Sequence, residues 1–180
     1  MTIWFTADQH FGHENIIEYC NRPFPRLGKM EQAIIGNYRK VVAPEDTVYI
    51  LGDLTIKGPQ HRGHLEYILE QLPGNKHLIL GNHDKFDPFV YVELGVLTVH
   101  TALDIGDYIL IHDPVLCHAV NNRKWLCGHV HTLFKMNTHG NVLNVGVDQW
   151  CFFPVNIDYV NMMFDETVVR RETRKVWEEQ

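Results

Sequence analysis

His77-Leu78-Ile79-Leu80-Gly81-Asn82-His83-Asp84 is a short apolar run that stops at a glycine and three side chains able to bind metals or move protons. The run is too short for a helix and reads as a buried strand ending in a tight turn. Two earlier stretches have the same form. Ile3-Trp4-Phe5-Thr6-Ala7 stops at Asp8, and Thr47-Val48-Tyr49-Ile50-Leu51 ends at Gly52-Asp53. Between them a helix is predicted over residues 30–42, with Ala33, Ile34, Tyr38, Val41 and Val42 at helical spacing and Pro44 as its terminator. A second helix is predicted over 63–72, stopped by Pro73-Gly74. Strand, helix, strand, helix, strand implies a parallel sheet, so the fold class is α/β.

The second half is richer in strands. Residues 96–100 and 108–111 are predicted as strands joined through the turn at Asp104-Ile105-Gly106-Asp107. Trp125-Leu126-Cys127 leads into Gly128-His129-Val130-His131. Residues 133–136 and 142–147 read as a hairpin around His139-Gly140-Asn141, and 165–179 as a polar terminal helix.

Composition sets the outer bounds. A chain of 180 residues suits one domain, spanning 1–180, and 45% hydrophobic residues suit a globular core rather than disorder. A net charge of −6 argues against a protein built to coat long nucleic acid. It leaves room for a nucleotide or short oligonucleotide, because bound cations would make a site locally positive. No stretch approaches the ~20 apolar residues of a membrane span, and a cytoplasmic location is expected. Cys20, Cys117, Cys127 and Cys151 form no Cys-x-x-Cys pair and read as buried, reduced thiols.

Twelve histidines in 180 residues make position the main question. Asp8 and His10 follow the first strand, Asp53 the second, and Asn82 and His83 the third. His112 follows residues 108–111, and His129 and His131 follow residues 125–127. Each therefore lies past the carboxyl end of a strand, where α/β sheets form their ligand sites. Gly52, Gly81 and Gly128 each precede one of these residues and permit close backbone approach. Each motif alone has an ordinary reading as loop or surface residues; their conjunction does not. Carboxylate and imidazole together favour manganese, iron or zinc over magnesium or calcium. Two such ions can share a carboxylate, hold a hydroxide and clamp a phosphoryl group.

The pattern from Asp8 to His131 resembles the calcineurin-like metallophosphoesterases. Thr6-Ala7-Asp8-Gln9-His10-Phe11-Gly12-His13 and Asn144-Val145-Gly146-Val147-Asp148 are most similar to its small bacterial and phage-type members. The resemblance implies a four-layer αββα sandwich, with two β-sheets face to face flanked by helices. It implies that Asp8, His10 and His131 hold one metal, that Asn82, His112 and His129 hold the other, and that Asp53 bridges them. His83 would protonate the leaving oxygen while a bridging hydroxide attacks phosphorus in line. The expected cofactors are two divalent ions, manganese first, with iron, zinc or nickel as alternatives.

One departure narrows the branch. The family's protein phosphatases carry Gly-Asp-x-x-Asp-Arg-Gly, whereas this chain has Gly52-Asp53-Leu54-Thr55-Ile56-Lys57-Gly58. Ile56 and Lys57 replace the carboxylate that would orient the histidine and the arginine that would grip phosphate, and Lys is no substitute for a bidentate Arg. The expected substrate is a small phosphate ester, a nucleotide diester ahead of a monoester. His13 has two readings, a phosphate contact at the site rim or a surface histidine at a helix start. Arg22 and Arg26, flanking Pro23-Phe24-Pro25, form either an anion clamp or a solvated loop. A non-catalytic scaffold would usually have lost a ligand or His83, and a structural zinc protein would want clustered cysteines. A homo-oligomer remains open.

Overall fold

A computed structural model of the chain describes residues 1–117 and 123–166. Its helices are α1 (Ile16–Tyr19), α2 (Leu27–Val41), α3 (Arg62–Gln71), α4 (Pro88–Glu93) and α5 (157–166). The first sheet contains β1 (Ile3–Thr6), β2 (Thr47–Leu51), β3 (Asn75–Ile79) and β4 (Val96–His100), all parallel. The second contains β5 (Ala102–Asp104), β6 (Tyr108–Ile111), β7 (Lys124–Cys127) and β8 (Val142–Asn144) in sequence order, parallel except for β5. The last strand, β9 (Val155–Asn156), returns to the first sheet antiparallel to β1, giving the order β4-β3-β2-β1-β9.

The period-two alternation of β2 and β3 decides the layering. Val48, Ile50 and Leu78 face Met30, Ile34 and Tyr38 of α2 and Leu65, Ile68 and Leu69 of α3. Leu51 and Ile79 face the other way, with Phe5, and meet Tyr108, Leu110, Leu126 and Leu143 of the second sheet. Both faces of the first sheet are thus buried, which is why its strands read as unbroken apolar runs. Helix α5 adds Val160 and Phe164 to the inter-sheet core. Truncating a fully buried residue such as Ile50 to alanine would cost about 2–5 kcal/mol. The result is two sheets flanked by helices, as expected.

Several local expectations are corrected. Residues 96–100 do not pair with 108–111; β4 pairs with β3, and β5 supplies the hairpin partner of β6. The alternation of 96–100 cannot distinguish the two sheets. Residues 133–136 form no strand; they meet β8 through the isolated bridge Met136–Leu143 and through Asn144, whose N–H donates to Lys135 O (2.8 Å) and whose side chain donates to Phe134 O (3.0 Å). Of the four cysteines expected to be buried only Cys127 is; Cys20 and Cys117 are half-buried and Cys151 is exposed in a left-handed turn with φ 53°, and all four are free. The terminal helix expected over 165–179 lies outside the described residues beyond 166. No helix among the described residues is long and apolar enough to cross a membrane.

Asp46 fixes the entry to β1 and β2. Its carboxylate accepts from Thr2 N–H (2.6 Å), Trp4 Nε1–H (2.9 Å) and Ala43 N–H (3.0 Å). These donors, the Thr2 N–H foremost, hold it below the usual carboxylate range. A depressed carboxylate contributes stability above its unfolded pKa of about 3.9 and loses it as pH falls through the folded value. Asp46→Ala should therefore lower Tm at neutral pH, and the gap from the native chain should close below about pH 4. Thermal unfolding across pH checks this; a gap constant with pH would refute it.

Candidate metal centre

The carboxyl ends of β1, β2, β3, β6 and β7 open onto one spot. To turn side chains into it, the chain leaves the strands through left-handed backbone. Asp8 (φ 59°), His10 (56°), Asp53 (53°), His129 (71°) and His131 (42°) all adopt a conformation that non-glycine residues rarely take. Each such residue costs of order 1–3 kcal/mol and persists only when its surroundings enforce it.

The enforcing contacts can be named. Asp8 N–H donates to Gly52 O (3.0 Å) and His10 N–H to Asp53 O (3.0 Å), which locks the two loops together. The Asp84 carboxylate accepts N–H groups from Asp53 (2.8 Å), Gly81 (2.9 Å), Leu54 (3.1 Å) and Thr55 (3.4 Å). Burial pushes Asp84 up to about 6, against the pull of these donors. On the far side, Asn144 donates to His131 O (2.9 Å) and Phe134 O (3.0 Å), and Gln149 also donates to His131 O (2.8 Å).

Within this frame the donors form two groups. Ligand atoms of Asp8, His10 and His131 lie within 4.8 Å of one another, and so do those of Asp53, His112 and His129. Asn82 Oδ1 joins the second group, 3.1 Å from His112 Nε2 and 2.9 Å from His129 Nδ1. Asp53 Oδ2 faces both groups, 3.5 Å from His10 Nε2 and 3.4 Å from His112 Nε2. All seven residues read from the sequence are thus brought together.

The electrostatics fit cations. His10 Nε2 is buried without a hydrogen-bond partner, and burial drives its pKa down to about 2, leaving a neutral lone pair. Burial raises Asp8 to about 6. Burial alone would raise Asp53 as well, but the His112 hydrogen bond and charge outweigh it and hold the carboxyl at about 2. Burial likewise opposes the charge on His112 and His131. The Asp53 hydrogen bond lifts His112 to about 9, and the Asp148 hydrogen bond lifts His131 to about 10. Protons on these two rings balance the carboxylates, and divalent ions could take over that charge.

His83 lies beside this set. Its N–H donates to Asp53 Oδ1 (2.8 Å), and its half-buried ring packs 5.3 Å from His10 and 6.1 Å from His13. Among the described residues no carboxylate hydrogen-bonds that ring. His13 is half-buried with Nδ1 3.2 Å from His10 Nδ1, so it belongs to the rim of the site rather than to open surface.

Arg22 is neither an anion clamp nor part of a solvated loop. It is buried, and its guanidinium donates to both Asp148 oxygens (2.8 Å each), Asp8 O (2.7 Å), Gln9 O (3.1 Å) and Met30 Sδ (3.4 Å). No N–H is left for a ligand. It orients Asp148, which in turn holds His131 Nδ1 at 2.8 Å. Arg26 is exposed at the N-cap of α2 and takes no part in that network. The supporting roles of Asp84, Asp148 and Arg22 were not apparent in the sequence. The only signal was that Asp84 and Asp148 lie inside the quoted motifs.

Gly81 tests the packing. A Cβ there would meet Asp53 Oδ1 at 2.2 Å and Asp53 N at 2.4 Å, whereas at Gly28 in α2 nothing lies within 4 Å. Gly81→Ala should lose bound metal while keeping its far-ultraviolet dichroism, and Gly28→Ala should keep both. Elemental analysis decides; full metal retention by Gly81→Ala would contradict the close approach.

Comparison with known proteins agrees with this geometry. The calcineurin-like phosphoesterase family matches residues 1–154. An uncharacterized protein of Methanocaldococcus jannaschii, MJ1445, is 33% identical over 176 residues, covering 94% of each chain. The gene 66 protein of Mycobacterium phage L5 is 28% identical, covering 82% of this chain and 86% of its own. A protein of unknown function from Aquifex aeolicus, AQ665, superposes with a TM-score of 0.66 at 25% identity, over 90% of this chain and 98% of its own. The nuclease MPE of Pseudomonas putida shares the fold, with a TM-score of 0.50 at 23% identity over 72% of this chain and 61% of its own. The chain belongs to the calcineurin-like phosphoesterases and is a metal-dependent phosphoric ester hydrolase.

Proposed function

We propose that the chain is a dinuclear phosphodiesterase acting on nucleotides or similar small esters. The observation that carries this is Asp53, whose Oδ2 faces His10 at 3.5 Å and His112 at 3.4 Å, one from each donor group. In this reading Asp8, His10 and His131 hold one ion, Asn82, His112 and His129 hold the other, and Asp53 serves both. Mixed oxygen and imidazole donors suit manganese, iron or zinc better than magnesium or calcium, and manganese is the ion we propose. When bound, the ions supply Lewis acidity toward phosphoryl oxygen and a water acidic enough to be a nucleophile near neutral pH.

The chain's own residues do the rest. Asn82 and the partly exposed His129 leave the second donor group open to a substrate phosphate. His83 holds the proton that the leaving oxygen takes. Its backbone bond to Asp53 and its packing on His10 and His13 orient it in place of the motif carboxylate that Ile56 replaces. The diester preference rests on charge. A monoester dianion needs an additional cationic grip, and Arg22, close to the donors, has no N–H to spare. The Lys57 stem lies against Gly12, where a Cβ would meet its Cγ at 2.5 Å.

The test pairs leaving groups. General acid catalysis is worth about 10²–10⁴-fold, so His83→Ala should lose that much on an ester with a ribose leaving oxygen. A nitrophenolate leaves without a proton, and its diester should suffer much less. Metal content should be unchanged. Equal losses on both substrates would make His83 a phosphate-positioning group, and loss of metal would make it a ligand. Faster turnover of a nitrophenyl monoester than of the matched diester would overturn the diester preference.

A further inference from the structure

The loops that deliver His112, His129 and His131 have a second, apolar side. Val130 stands between the two histidines, one Cα step of about 3.8 Å from each. Pro114 follows His112 by two residues. These two residues form the near wall of a cleft of about 560 Å³, within the range of small-molecule sites. The cleft therefore lies against the same loops that carry the metal-centre histidines.

Its walls are held in place. Asp113 Oδ1 accepts from Val115 N–H (2.9 Å), and Leu133 N–H closes a turn onto Val130 O (2.8 Å). Val115 and Leu133 nevertheless remain 81% and 78% exposed. Two large apolar side chains held exposed at the cleft mark a contact surface. Cys117 and Phe134 form the floor, packed on buried Ile111, Cys127 and Val142.

One edge of the cleft is polar. Asn137 donates from Nδ2 to Asn141 Oδ1 (2.9 Å) and accepts from Asn141 N–H (3.0 Å), which fixes the Asn141 amide. Among the described residues, Asn141 Nδ2 and the His139 ring have no hydrogen-bond partner. Among the described residues, no carboxylate, lysine or arginine lines the cleft.

We propose that this cleft receives the nucleobase of a nucleotide ester whose phosphate sits at the metal centre; the inference rests on the phosphodiesterase reading above. A base has apolar faces for Val115, Leu133 and Phe134 and a hydrogen-bonding edge for Asn141 and His139. An acyl chain would strip water from those two groups and return no hydrogen bond. A second phosphate would find no lysine or arginine among the described lining residues.

The p-nitrophenyl ester of thymidylate and methyl p-nitrophenyl phosphate share their scissile bond and leaving group and differ in the nucleoside. With the metal-loaded protein, kcat/KM for the thymidylate ester should exceed that for the methyl ester by on the order of tenfold, the scale of one base contact. Leu133→Asp and Val115→Asp, both at exposed positions, should each bring the ratio toward one. A ratio near one in the native chain, or a ratio unmoved by both variants, overturns the proposal. Titration with thymidine alone, followed by amide resonances, separates the two readings. If neither ester is cleaved but Val115, Val130 and Leu133 shift, the cleft stands and the phosphodiesterase reading fails. If none shifts at saturating thymidine, the cleft proposal fails.

Discussion

Buried negative charge is the constraint on which the rest of the structure depends. Asp8, Asp53 and Asp84 are almost fully buried, and the Asp148 side chain is 2% exposed. Isolated carboxylates in such surroundings would be costly, so each must be answered. Asp84 is answered by four backbone N–H groups, and Asp148 by Arg22 and His131. Asp8 and Asp53 have one backbone N–H each, from His129 and His83, and otherwise face imidazoles. These two are the carboxylates left for cations, and they are the two that face the open end of the sheets.

The same constraint explains the strained backbone. A strand that continued straight past Asp8 or Asp53 would carry those side chains away from the cluster. The left-handed kinks turn them inward, and the Asp84 carboxylate pins the amides of the 53–55 turn that results. Arg22 then ties the first loop to the last: one guanidinium reads the carbonyls of Asp8 and Gln9 and the carboxylate behind His131. The scaffold stores strain where metal ions would repay it, which fits a site whose stability and metal loading are coupled.

Much of this was legible in the sequence, for a definite reason. Short apolar runs ending in Gly-Asp, Gly-Asn-His-Asp and Gly-His-Val-His give both the strand and the site it points to, because parallel strands place their carboxyl ends together. The first sheet and the seven converging donors followed from that. The second sheet was harder. Residues 96–100 and 102–104 are both short and partly apolar, and only tertiary contacts assign the first to β3 and the second to β6. Residues 133–136 looked like a hairpin arm because exposed Leu133 and half-buried Phe134 imitate alternation. Arg22 was read as either an anion clamp or part of a solvated loop because nothing in Pro23-Phe24-Pro25 foretells that its partner, Asp148, lies 126 residues away. Supporting residues carry no local pattern of their own, so they stay invisible until the fold brings them together.

The central claim is that one carboxylate, Asp53, serves two ions at once. The most direct measurement is the electron paramagnetic resonance spectrum of the manganese-loaded protein at full stoichiometry. Two ions sharing Asp53 should give the broadened spectrum of an exchange-coupled pair, replaced by an isolated-ion signal in Asp53→Asn. An isolated-ion spectrum from the fully loaded native chain would contradict a shared centre.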